Sequence, residues 1–134
     1  LERINLERFQ IVEHEQSGFD AVRAAMRAIL HGEHSESQLW IAFMARAASD
    51  PSQAGIMRNA IEVWVARWAE LVERGQRDGS IRAELDPDSV GVELHALVNG
   101  LRMRAQFRPS RGSRRWPLAE DDLALLDGLR PGNA

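Results

Sequence analysis

Apolar residues recur at three- and four-residue intervals along most of the chain, the spacing of amphipathic helices. Residues 1–16 place Ile4, Phe9 and Val12 inward and predict a first helix, broken at Ser17-Gly18. Phe19, Val22, Met26, Ile29 and Leu30 then mark a second, with four alanines among them as strong helix formers. His31-Gly32 ends it, the glycine serving as a C-terminal cap. Ser35 or Ser37 can cap the third helix, whose stripe is Leu39, Trp40, Phe43, Met44 and Ala47. Ile41 and Ala45 widen that stripe, predicting cover on more than one side. Asp50-Pro51 reads as a cap followed by a proline at the first helical position. The long helix behind it carries Met57, Ala60, Ile61, Trp64, Trp68, Leu71 and Val72 on one face.

Residues 75–85 read as a connection holding Gly75 and Gly79, and Asp86-Pro87 repeats the earlier start signal. Val90, Leu94, Leu97, Val98 and Leu101 line one face of the helix that follows, over residues 86–103. Val92, Ala96, Asn99 and Met103 lie well away from that face. A helix with two apolar faces needs two partners, and one of them points to another chain. Residues 102–115 break the pattern with six arginines and no acid, predicting an irregular basic loop. Residues 117–129 predict a last short helix, with Glu120, Asp121 and Asp122 in its first turn and Leu118, Leu125, Leu126 and Leu129 on its apolar side. No segment reads as a strand, so the pattern predicts an all-α bundle of about six helices.

Composition narrows the function classes. The chain has 134 residues, enough for one domain with its own core. It holds no cysteine, which excludes disulfides, thiolate metal sites and cysteine nucleophiles and fits a reducing, cytoplasmic setting. No apolar run is long enough to span a membrane. All 17 basic residues are arginine and the net charge is −3, which gives no ground for nucleic-acid binding by this chain. None of the four histidines follows a glutamate by three positions, so the Glu-x-x-His signature of di-iron bundles is absent. His31-Gly32-Glu33-His34 has no third ligand nearby and predicts no metal site. No Gly-rich phosphate loop or Gly-x-Ser-x-Gly elbow is present. These residues give neither an enzyme nor a cofactor site.

Two stretches carry a resemblance. One is Leu39-Trp40-Ile41-Ala42-Phe43-Met44-Ala45-Arg46-Ala47 with Asp50-Pro51 behind it. The other runs from Arg67-Trp68 through Gly75-Gln76-Arg77-Asp78-Gly79 and Leu85-Asp86-Pro87-Asp88 to Leu97-Val98-Asn99-Gly100-Leu101. Together they resemble the C-terminal ligand-binding and dimerisation domain of TetR-type transcriptional regulators, in the BetI-like branch. The resemblance covers roughly residues 18–129 and implies a helical domain that binds a small effector and dimerises through its last two helices. It also implies an N-terminal helix-turn-helix domain that reads operator DNA. That head is missing from this sequence, and residues 1–16 correspond to the remnant of the helix linking it to the effector domain, residues 17–134. Asn99 departs from the aspartate common before Gly-Leu in the family, and the arginine-rich stretch is an insertion.

Candidate site residues follow from both readings. Trp40, Phe43, Met44, Trp64 and Trp68 form either plain core or the walls of an effector pocket. An aromatic cage of this kind would suit a cationic ligand. His95, Asn99 and Arg102 share one side of their helix and either rim an interface or orient the effector. Leu94, Leu97, Leu101, Leu125 and Leu126 are the expected homodimer contacts. The arginine-rich loop reads as a solvated surface. The function expected is the effector-binding, dimerising domain of a transcriptional repressor; the alternative is a helical protein–protein interaction module without a ligand.

Overall fold

A computed structural model describes residues 11–32, 34–107 and 123–132, and every regular element among them is helical. A short 3-10 turn, Ile11–His14, precedes four α-helices: α1 (Gly18–Leu30), α2 (His34–Ser49), α3 (Pro51–Asp78) and α4 (Pro87–Ala105). A second 3-10 helix, Leu123–Leu129, closes the order. The expected all-helical class and the approximate helix count hold. Of the first predicted helix only the 3-10 turn is described, and within it Val12 is buried as expected. The last predicted helix is 3-10 over its described part, and residues 117–122 and the loop arginines 108–115 lie outside the described residues.

Local chemistry explains most of the boundaries. The Ser17 hydroxyl accepts from the Asp20 amide and caps α1. Asp50 and Asp86 cap α3 and α4 through Ser52 and Ser89, each ahead of a proline. Three boundaries differ from the sequence reading. α1 closes at His31, whose amide bonds back to Arg27, and Gly32 is not the left-handed cap expected of it. α2 starts at His34, so Ser37 sits inside the helix and caps nothing. α3 runs through Gly75 to Asp78 and ends at Gly79, the one residue among those described with positive φ, at 81°.

Gly75 stays helical because tertiary packing needs it. A Cβ on Gly18 would overlap the backbone nitrogen and Cα of Gly75, and one on Gly75 would sit 2.5 Å from Ile81 Cδ1. The start of α1 thus crosses the end of α3 backbone to backbone. The crossing is fastened by polar groups: the Gly18 amide donates to Asp78 Oδ2 at 2.7 Å and the Phe19 amide to Ser80 Oγ at 3.0 Å. The Arg74 guanidinium donates to the carbonyls of Val12 and Glu15, tying the entering chain to the same place. Gln76 Nε2 donates to the carbonyls of Arg82 and Leu85 and closes the link to α4.

The interior divides into two clusters. The larger joins α1, α3, α4 and the C-terminal 3-10 helix around Phe19, Met26, Trp68, Val72, Leu94 and Leu126. Each such side chain fully withdrawn from water contributes about 1.5–3 kcal/mol. The smaller cluster zips α2 to α3 through Trp40, Ala47 and Met57, with Phe43, Met44 and Ile61 packed beside them. α2 is therefore held mainly by α3, and polar side chains fill the space between α2 and α4.

Candidate functional site

That polar space is the candidate site. His95, Asn99 and Arg102 lie at intervals of four and three residues on α4 and so share a face. Ser37 and Trp40, three apart on α2, meet them from the other side. Trp64 of α3, Ile29 of α1 and Val98 of α4 complete the wall. The free volume between these side chains is about 10 Å³, close to the room that one water occupies.

Hydrogen bonds fix the polarity of this wall. Trp40 Nε1 donates to Asn99 Oδ1 at 3.1 Å. An indole N–H can only donate, so the Asn99 amide is oriented with its oxygen toward Trp40. Its Nδ2 then faces His95 Nε2 at 3.0 Å and must donate to it. A neutral imidazole that accepts at Nε2 carries its proton on Nδ1. His95 Nδ1 is buried and has no hydrogen-bond partner among the described residues. Burial, and secondarily the nearby Arg102 charge, hold the His95 pKa below the usual histidine value, which keeps the ring neutral near pH 7.

Arg102 is itself 5% exposed. Its Nε donates to Ser37 Oγ at 3.2 Å, and its guanidinium carbon lies 5.9 Å from the centre of the Trp40 ring. The Trp40 face is thus already occupied by a cation of the chain itself.

The structure brings Trp40, Trp64, His95, Asn99 and Arg102 together around one space and separates Phe43, Met44 and Trp68 from it. Phe43 and Met44 stand behind Trp40 on the seam with α3, the Phe43 and Trp40 ring centres 6.5 Å apart. Trp68, one turn beyond Trp64, is 0% exposed and belongs to the main core. Ser37 and Ile29 were not expected at the site. Ser37 was readable, since it precedes Trp40 by one helical turn; Ile29 looked like any core residue of α1.

The expected dimer contacts also divide. Leu94 and Leu126 are buried in the chain's own core, Leu97 and Leu101 are half-buried, and Leu125 is 74% exposed. Leu94, Leu97, Leu125 and Leu126 with Val90, Glu93 and Leu129 line a groove of about 250 Å³ between α4 and the C-terminal 3-10 helix. A separate exposed stripe runs along α4 through Val92, Ala96, Gly100 and Met103. Val92 and Met103 belong to the second apolar face noted above, and they are the large apolar side chains of α4 that reach solvent. No three metal-ligating side chains come together among the described residues; Glu33 and the His34 side chain lie outside them. No helix among the described residues is long and apolar enough to cross a membrane.

A family model described as the C-terminal domain of BetI-type transcriptional repressors matches residues 19–116. No curated protein and no solved structure matches the chain. The matched stretch contains every side chain of the wall.

Proposed function

The chain belongs to the family of BetI-type transcriptional repressor C-terminal domains, and on that premise we propose that it senses a small effector and dimerises. Residues 17–134 form the sensing and dimerising domain in this reading. The effector enters between α2, α3 and α4. The observation that carries this is the buried wall of Trp40, Asn99, His95 and Arg102: polar side chains placed inside a bundle, off the main core. Groups of this kind cost about 1–3 kcal/mol each when left unmet, so their presence inside the domain fits a binding task better than a packing one. Contact with operator DNA falls to the helix-turn-helix head of such regulators, and the family is one of transcription regulation, not of catalysis.

Dimerisation is assigned to the exposed stripe of α4 together with Leu125 of the 3-10 helix. A twofold interface buries the same patch on both copies, and Ala96 and Gly100 between Val92 and Met103 allow two helices to approach closely. The homodimer would sit in the cytoplasm.

A titration of tryptophan fluorescence against a panel of small organic molecules tests the sensing function. Trp40 and Trp64 wall the site, so an effector changes their emission and raises the melting temperature. At a hundred times its dissociation constant it adds about 2.7 kcal/mol. The small volume of the space favours one rival, an interaction module with no ligand. Failure of every compound class to shift either signal would leave that rival standing.

A further inference from the structure

We propose that the effector of this site presents a hydrogen-bond-accepting oxygen, a carbonyl or carboxylate on an apolar body, to the Nδ1–H of His95. The proposal rests on the effector-pocket reading above and gives that pocket its chemistry. Its basis is the direction of the hydrogen bonds. Trp40 donates to Asn99 and Asn99 donates to His95, at 3.1 and 3.0 Å. The series starts at a group that can only donate, so no member can reverse without leaving two donors or two acceptors face to face. It ends on a buried N–H that none of the described residues accepts. An occupant that meets it must offer a lone pair.

The charged side chain in the described wall is Arg102, which is buried at the same place and donates to Ser37. The Trp40 ring, the aromatic face that an aromatic cage would use for an ammonium group, already carries the Arg102 guanidinium at 5.9 Å. The aromatic cage expected from the sequence is therefore not open at Trp40. Trp64, Ile29 and Val98 supply the apolar part of the wall, which asks for an apolar body behind the oxygen. The free volume of about 10 Å³ is too small for such a molecule, so binding moves α2, the helix fastened by the smaller cluster.

Four probes of one shape test this on the full chain: 4-phenylbutyrate, 5-phenylpentan-2-one, (3-phenylpropyl)trimethylammonium and pentylbenzene. The carboxylate and the ketone are expected to bind about tenfold more tightly than the hydrocarbon, and the ammonium compound, which has no lone pair to offer, no more tightly than the hydrocarbon. His95→Phe is expected to erase the oxygen preference while hydrocarbon binding persists. Equal affinities for oxygen-bearing and hydrocarbon probes, or tightest binding of the ammonium compound, overturn the proposal and leave the pocket reading intact. If no probe binds, the pocket reading falls and takes the proposal with it. Nitrogen-15 NMR of the imidazole in unliganded wild-type protein gives a readout that needs neither ligand nor variant. A proton on Nδ1 is expected, and a proton on Nε2 overturns the proposal.

Discussion

Replacing Gly18 by alanine tests the backbone crossing of α1 and α3 directly. The added Cβ overlaps the Gly75 backbone and comes within 2.8 Å of the Arg74 carbonyl carbon. Those atoms belong to the backbone near the end of a 28-residue helix and cannot swing aside as a side-chain tip could. α1 must back away by about an ångström to restore ordinary contact. Overpacking of this kind costs about 1–3 kcal/mol. The shift also stretches the bonds from the Gly18 and Phe19 amides to Asp78 and Ser80, 2.7 and 3.0 Å long, which adds about 1–3 kcal/mol together. The gain in helix propensity returns at most about 1 kcal/mol. The net loss of about 1–5 kcal/mol is a large part of the 5–15 kcal/mol that holds a domain folded. Circular dichroism at 222 nm during heating measures it, with an expected fall in melting temperature of about 4–20 °C. Gly55→Ala is the control: its Cβ meets nothing within 4 Å, so it should hold or raise the melting temperature. A Gly18→Ala protein that melts with the wild type would refute the close crossing.

Stability should also depend on pH through His95. Its folded pKa is lowered by burial and by Arg102, so the unfolded chain takes up the proton first as pH falls. The contribution is complete above about pH 7 and is lost as pH falls through the ordinary histidine range toward the folded pKa. Urea midpoints from pH 7.5 to 5.5 should decline less steeply in His95→Phe than in wild type; an identical slope contradicts a buried neutral ring. Met103→Glu should give a folded monomer by light scattering in place of a dimer at twice 15.1 kDa, whereas Leu94→Glu should unfold the chain because Leu94 is 3% exposed in the core. A folded Leu94→Glu monomer would return Leu94 to the interface. Asp50→Ala should lower the urea midpoint through loss of the α3 cap, and an unchanged midpoint would mean the cap contributes nothing.

The sequence reading succeeded where structure is set locally. Both Asp-Pro starts were legible because cap and proline act within one turn. The buried face of α1 was legible because Phe19, Val22, Met26 and Ile29 keep strict helical spacing. Periodicity gives a face but not a depth along the axis. Trp64 and Trp68 share a face and both belong to the larger cluster, yet Trp64 also walls the site and Trp68, one turn on, does not. Gly75 was misread as a stop because its role is set by Gly18, far away in sequence. Ser37 was misread as a cap for the same reason, its partner being Arg102. On α4 both apolar faces were visible, but spacing alone could not say that the one holding Leu94 turns inward and the one holding Val92 and Met103 turns to solvent.

The division of the interior into two clusters has a consequence for hydrogen exchange. Amides in the middle of α1, α3 and α4 are guarded by the larger cluster, and their exchange requires the whole domain to unfold. Those of α2 are guarded by Trp40, Ala47 and Met57, together with the polar contacts of Ser37 and Trp40 to α4. Peeling this helix away exposes one small cluster and leaves the rest intact, so its amides should exchange on a shorter clock, with a weaker denaturant dependence than the others. The domain then has two protection levels in one cooperative fold, and the lower belongs to the helix that roofs the site.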